Sequence, residues 1–230
     1  MKSVAVVTAT IGRPSLQQAL DSVSTQTMAC NHYVVFDGVP LGTLDKSIKF
    51  PAKAEAVWLP KRTGLNGMMN GAVLAMAAYL CTEDYLCFLD DDNWLEPDHI
   101  ESLVNACETK QAAYAYSLRK LVNPDSSFWA NDDGESIGHH GDFIDANCYL
   151  FRRDLAVGIA PLWYKTTGEM NISDRFVWAA LKQNNIAWAA TGRYTVNYRM
   201  SARGTDMKPF FFMRNILAKS KFPDAFPWAA

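Results

Sequence analysis

The run Tyr85-Leu86-Cys87-Phe88-Leu89-Asp90-Asp91-Asp92-Asn93 decides how the chain is read. Five residues without a charge is how a strand buried on both faces of a parallel sheet reads. Three carboxylates follow at its carboxyl end, where open α/β sheets bind their ligands. Like charges packed there repel unless a cation neutralises them. In a strand continuing past Leu89, Asp90 and Asp92 project the same way. Carboxylate oxygens suit a hard ion such as Mg²⁺ or Mn²⁺, which would bridge the phosphates of a substrate. The blander reading is a solvated acidic turn capping the helix near Pro97; the apolar strand ahead of it weighs against that.

The flanking sequence supports a sheet. Val4-Ala5-Val6-Val7 reads as a strand, and Leu16, Ala19, Leu20 and Val23 then recur at helical spacing. Ser15 and Gln18 stand at capping-box spacing ahead of that helix. Tyr33-Val34-Val35-Phe36 is a second strand ending at Asp37-Gly38, and Ala54 to Leu59 is a third, stopped by Pro60. Met69, Val73, Met76 and Leu80 form one helical stripe, and Ile100, Leu103, Val104 and Cys107 form another beyond Pro97. Strand and helix therefore alternate over 1–110, the mark of an α/β layer with a mostly parallel sheet. After Gln111 the runs shorten: Ala113 to Leu118 and Ile144 to Phe151 are separated by a polar loop, Asn123 to Gly141. A helix from Ser173 to about Asn184 takes Ser173 as its N-cap. Neither a repeat nor a linker interrupts the chain, so 1–230 reads as a single domain.

Composition removes several classes. The 230 residues carry a net charge of −2, without the basic excess that a nucleic-acid surface needs. Five cysteines, an odd number with no CxxC pair, argue against a disulfide scaffold or a cysteine zinc site and for a reducing, cytoplasmic setting. Ser3 to Thr10 is too short an apolar run for a signal peptide. Thr63 to Thr82 is uncharged, but Asn66, Asn70 and three glycines spoil it as a membrane span; Gly71 to Cys81 suits a buried helix. The chain has no GxxxxGK[ST], and Gly64, Gly67 and Gly71 do not spell GxGxxG, so P-loop and dinucleotide sites are disfavoured. Phosphatases with an aspartyl nucleophile show DxDx[TV]; here Trp94 holds the last position.

VAVVTATIGRP, HYVVFDG, RTGLNGMMNGAVLAM and YLCFLDDDNWLEPDHIESL, in that order, resemble the nucleotide-sugar half of family 2 glycosyltransferases of the GT-A fold. The resemblance covers about 3–110. Beyond it, IDANCYLFRRD resembles the acceptor-side strand, SDRFVWAALKQNNIAW the "ED" helix and following strand, and YTVNYR the late Tyr-Arg segment. Each motif alone is weak; the ordered set is specific. The resemblance implies a Rossmann-like, mostly parallel sheet flanked by helices, with a smaller mixed acceptor-side region. About 1–110 would form the nucleotide-sugar-binding half and about 111–230 the acceptor half.

Residue by residue, Thr10 matches the position facing the nucleobase, with Arg13 beside it, and Asp37 matches an acid that contacts base or ribose. Asn70 matches an asparagine of the donor site. Asp90 and Asp92 match the DxD pair, Asp92 the more direct metal ligand and Asp90 nearer the ribose, with Asp91 between them in the donor site. Asp174 matches the general base, with Glu169 in reserve. Departures are Ile11-Gly12 for a common Tyr-Asn, Phe36 for the first of two acids, and Met69 where an arginine often stands. Lys61 or Arg62 would then supply that charge. Met200-Ser201 stand where some members place a metal-side histidine.

The implied activity is inverting transfer of a sugar from a nucleotide-diphosphate donor, a UDP-sugar first among candidates, to a glycan or lipid-linked acceptor, with Mn²⁺ or Mg²⁺. A nucleotidyltransferase, a phosphatase or a non-catalytic nucleotide- or glycan-binding relic are the alternatives. His139-His140 reads as a surface pair. Trp129 and Trp163 are candidates to stack on sugars, and Trp188 reads as strand core. Asp145 and Asn147 either bind acceptor hydroxyls or merely face outward by alternation. The tail with Phe210-Phe211-Phe212, Arg214, Lys219 and Lys221 reads as a helix packing its aromatics into the domain, with peripheral membrane contact as the alternative.

Overall fold

The computed structural model describes residues 2–40, 42–165, 172–200 and 207–228. Within them the chain runs β1 (Val4–Thr10), α1 (Leu16–Ser24), β2 (Asn31–Asp37), β3 (Ala54–Leu59), α2 (Gly71–Leu80), β4 (Tyr85–Asp90), β5 (Trp94–Leu95) and α3 (His99–Lys110). It continues through β6 (Tyr114–Val122), β7 (Phe128–Asn131), β8 (Tyr149–Arg152), α4 (Arg153–Trp163), α5 (Ser173–Gln183), β9 (Trp188–Arg199) and α6 (Lys208–Lys221). The sheet order is β3-β2-β1-β4-β8-β6-β9-β5, with β7 hydrogen-bonded to β6.

The first four strands in that order are parallel. β1 and β4 sit in the middle with nearly every residue buried, which is why they are apolar runs rather than alternations. Register aligns their ends: Thr10 lies opposite Phe36, Ala9 opposite Asp90, and Asp37 opposite Leu59. Thr10, Asp37 and Asp90 therefore share one edge. α1 covers this layer with Leu16, Ala19, Leu20 and Val23, the face its spacing predicts.

At β8 the sheet reverses. β8 runs antiparallel to both β4 and β6, while β9 returns parallel to β6 and meets β5 antiparallel. The reversal has a functional consequence. An antiparallel neighbour begins where β4 ends, so the 3-10 turn Ala146–Cys148 leading into β8 stands beside Asp90. The long strand β9 ends by pairing Asn197 with Trp94, which delivers Tyr198 and Arg199 to the same edge. One core joins the two halves; Phe88 of β4, Phe151 of β8 and Trp163 of α4 meet in it.

Several expectations are corrected. Ser15 makes no side-chain cap, since its own backbone is already helical (φ −60°, ψ −21°), and Gln18 accepts a hydrogen bond from Arg199 Nη2 at 2.5 Å instead of reaching back to it. Ser173 is the first residue of α5 rather than its cap. α2 begins only at Gly71 and buries Val73, Leu74, Ala77 and Ala78, leaving Met69 outside the helix and exposed. The predicted strand from Ile144 is a 3-10 turn followed by β8, and the polar loop contains β7. Trp163 is core and meets no solvent, whereas Trp188 is 40% exposed and stacks on His139 at 3.8 Å. Glu169 and Ser201 lie outside the described residues. Among the described residues no helix is long and apolar enough to cross a membrane.

The turn after β2 depends on Gly38. Its φ is +69°, and a Cβ there would lie 2.2 Å from the Arg62 backbone nitrogen. Gly42 has φ +89° but open space around it. Gly38→Ala is expected to destabilise the fold by about 2 kcal/mol or more and Gly42→Ala by about 1 kcal/mol, through strain alone. Urea unfolding of the two variants measures the difference, and equal losses would contradict the close approach of the 60–64 segment to β2.

Candidate active site

The strand ends enclose a cleft of about 540 Å³. Thr10, Arg13, Asp37, Arg62, Asn70, Asp90, Asp91, Asp92 and Asp174 all line it, whereas Lys61, the alternative to Arg62, does not, and the reserve base Glu169 lies outside the described residues. Met69 lines it as well, in the position where an arginine was anticipated, and Arg62 is the cation on that wall.

Asp37, buried at the end of β2, accepts hydrogen bonds from the amides of Thr63 at 2.7 Å and Gly64 at 2.9 Å. This fastens the 63–70 segment across the strand ends. A Cβ on Gly64 would lie 2.2 Å from the Met69 carbonyl oxygen, and Met69 itself has φ 47°. The tight turn aims Asn70 at the acidic cluster, where its Nδ2 donates to Asp90 Oδ1 at 2.7 Å.

The three aspartates divide. Asp90 receives Asn70 on one oxygen and Asn147 Nδ2, at 2.8 Å, on the other; its own amide donates to Asn147 Oδ1 at 2.6 Å. Asp91 turns inward, accepting from Thr10 Oγ1 at 2.7 Å and from Arg13 Nη1 at 3.2 Å. Asp92 accepts from the same Arg13 nitrogen at 3.0 Å. Arg13, expected from the family resemblance to lie beside Thr10, bridges two carboxylates. Arg199 closes the floor: its Nε donates to the Asp92 carbonyl at 2.9 Å, and its guanidinium lies 5.1 Å over the Trp94 ring.

Burial, reinforced by the charges of Asp92 and Asp145, pushes the Asp90 carboxyl up to about 7. Asp91 and Asp92 are also raised by burial, with Thr10 and Arg13 acting against the shift at Asp91 and Arg13 acting against it at Asp92. Across the cleft, in the first turn of α5, burial and then the charge of Asp145 push Asp174 up to about 6. A carboxyl near that value exchanges a proton readily around neutral pH.

Asp145 and Asn147 are what strand alternation missed, since both are buried in the turn rather than outward on a strand. Behind them sits Arg119, 2% exposed, donating to Asp132 at 2.8 Å, Glu135 at 2.8 Å and Asp145 at 2.5 Å. Its guanidinium lies 4.4 Å from the centre of the Tyr198 ring, and Tyr198 lines the cleft. Arg175 offers a second cation to Glu135 at 3.2 Å. The available signal was the crowding of Asp and Glu over 132–145 around a strand holding one arginine. His139, expected on the surface, is half-buried between Trp188 and Trp178 and takes no part in the cleft.

Among the described residues, no three His, Cys, Asp or Glu side chains stand together as a complete metal cage. Asp90 and Asp92, whose carboxyls are both raised by burial, are the residues that could hold a hard divalent ion.

A sequence profile for glycosyl transferase family 2 matches residues 3–161. No curated protein sequence matches the chain. Among solved structures, residues 1–349 of S. aureus TarS in complex with UDP superpose with a TM-score of 0.64 at 13% identity, covering 98% of this chain and 66% of that one. The same fragment in complex with UDP-GlcNAc gives 0.64 and 13%, covering 98% and 67%. A longer S. aureus TarS structure gives 0.61 and 15%, covering 97% of this chain and 40% of its own. The chain thus spans about two thirds of the TarS fragment, and the likeness is one of fold.

Arg119 compensates three buried acids, so Arg119→Leu is expected to destabilise the protein by about 3–5 kcal/mol near neutral pH. Burial already raises the Glu135 carboxyl with the Arg119 charge acting against the shift, so without the arginine it rises further and folding then takes up a proton. The loss should therefore shrink as pH falls from neutral toward 5. Denaturant unfolding across that range checks both the size and the sign.

Proposed function

This chain belongs to glycosyl transferase family 2, and from that premise we propose that it transfers a sugar from a UDP-linked donor to an acceptor hydroxyl, with inversion and with a divalent ion. That it is a glycosyltransferase of GT-A fold follows from the family match and the structural likeness. The finer reading rests on one observation: Asp90 and Asp92 on one wall and Asp174 on another line a single cleft at the carboxyl ends of the parallel strands.

In this reading Thr10, Asp37 and Arg62 receive the nucleoside, because they line the β1–β2 side of the cleft. The crystals of TarS with UDP and UDP-GlcNAc are the ground for testing uridine first. Asp90 and Asp92 would hold Mn²⁺ or Mg²⁺, and the ion, when bound, supplies Lewis-acid stabilisation of the departing diphosphate. Asn70 and Asn147 orient Asp90, while Arg13 and Arg199 restrain Asp92.

Asp174 accepts the proton of the acceptor hydroxyl. The acceptor oxygen forms its bond to the anomeric carbon as the bond from that carbon to the diphosphate oxygen breaks. One displacement from the opposite face inverts the centre. The base works only as a carboxylate, so a pKa of about 6 keeps it mostly ionised at neutral pH yet basic enough to take a proton. About 1–110 would carry the donor and about 111–230 the acceptor.

Mn²⁺ with UDP should raise the melting temperature of the wild-type protein, and Asp92→Ala should abolish the part of that rise that depends on Mn²⁺. Stabilisation by UDP that ignores both chelation and Asp92→Ala would remove the metal role. For Asp174→Asn, turnover should fall by about 10²–10⁴ with Mn²⁺–UDP binding retained. Because burial raises the Asp174 pKa, its ionised form opposes folding above that pKa, so the asparagine variant should also melt higher at pH 7.5. Wild-type kcat/KM should decline as pH drops through about 6. Undiminished turnover in Asp174→Asn would overturn its assignment as base.

A further inference from the structure

α6 is fastened to the domain by one face only. Phe211 is buried beneath it, Arg214 Nε donates to the Gly134 carbonyl at 3.1 Å, and Asn215 Nδ2 donates to the Asn131 carbonyl at 2.7 Å. A Cβ on Gly134 would lie 2.5 Å from Arg214 backbone, so the helix is seated closely. Beyond it Phe222 and Phe226 pack on the buried Trp228 and tie down the following turn. The orientation of the helix is thereby set, and the opposite face is held outward.

That outward face is apolar. Phe212, Met213, Ile216 and Leu217 are 60%, 58%, 46% and 61% exposed, and Phe210 is 40% exposed. At 3.6 residues per turn these five fall in one sector about 160° wide. Lys208 and Lys219 border the sector on one side, Arg214 and Lys221 on the other. The helix contains no Asp or Glu, in a chain whose net charge is −2. This contradicts the expectation that the aromatics of the tail pack inward: of Phe210, Phe211 and Phe212, only Phe211 is buried.

We propose that α6 docks this face onto an anionic lipid surface, lying in the plane of the interface. An apolar sector bordered on both sides by cations is what such a surface selects, since the rings enter the acyl boundary while the basic heads reach the phosphates. Charge complementarity also argues against a second copy as the occupant, because pairing two α6 faces would bring Lys208, Lys219 and Lys221 of one helix against the same lysines of the other. Arg214 keeps its ion pair with Asp142 on the domain side, so the helix does not have to leave the fold in order to bind.

Flotation of the full chain with phosphatidylcholine vesicles, with and without phosphatidylglycerol, tests this. Binding is expected only with phosphatidylglycerol and should weaken as salt rises. Phe212→Ser with Leu217→Ser should lower the partition coefficient by about tenfold or more. Lys219→Glu with Lys221→Glu should lower it by about tenfold or more as well. Melting temperature and UDP binding should be unchanged in both, which separates a lost surface from a lost fold or a lost donor site. Absence of wild-type binding to phosphatidylglycerol vesicles would overturn the proposal. So would equal binding to neutral vesicles, equal binding by the variants, or light scattering showing a dimer that Phe212→Ser with Leu217→Ser dissolves while vesicles are ignored.

Discussion

The Asp90 carboxylate joins the two halves of the molecule. Asn70, from the parallel side, holds one oxygen; Asn147, from the turn where the sheet reverses, holds the other and also takes the Asp90 amide. A carboxylate at the end of a buried strand loses much of its hydration, and hydrogen bonds to fixed amides are what keep it tolerable in the ionised form. These bonds also fix the antiparallel part of the sheet against the parallel part. The turn carrying Asp145 and Asn147, brought there by the antiparallel pairing of β8 with β4, is thus also what satisfies Asp90.

Behind that contact stands a second charge cluster with a different balance. Arg119 is surrounded by Asp132, Glu135 and Asp145, and neither the arginine nor Asp132 touches solvent appreciably. Such a cluster contributes less to stability than apolar packing of equal volume would, yet it leaves a negative excess facing the cleft. Asp145 belongs to both clusters. Its charge is part of why Asp90 and Asp174 are held above the ordinary carboxylate range. The cleft therefore holds buried acids at an electrostatic cost, which under the proposed function a cation at Asp90 and Asp92 and a proton at Asp174 would relieve. Stability is given up at the place where chemistry needs it.

Much of this was legible in the chain. Strands buried on both faces must be apolar throughout, so β1 and β4 declare themselves, and β3 spans Ala54 to Leu59, the stretch that Pro60 stops. The aspartates stand at the exit of a buried strand, a position the sequence shows by itself; that Thr10 and Asp37 share their edge was implied by the family resemblance, and the parallel register brings it about. Local signals did less well at helix ends. Ser15 and Gln18 have capping-box spacing, but Arg199, remote in sequence, offers Gln18 a stronger charged donor. Met69 has the spacing of α2 yet lies outside it, because the fit of Gly64 against its carbonyl turns the backbone left-handed there.

Sequence alone determined the alternation of elements, the parallel layer and the acidic cluster at the end of β4, because burial and strand direction act through local pattern. Only the tertiary structure decided that Asp145 and Asn147 face inward, that one arginine serves three acids, and that the aromatics of α6 point out rather than in. Those outcomes depend on an antiparallel reversal and on partners far along the chain. Pairwise electrostatics between distant residues leaves no periodicity to read.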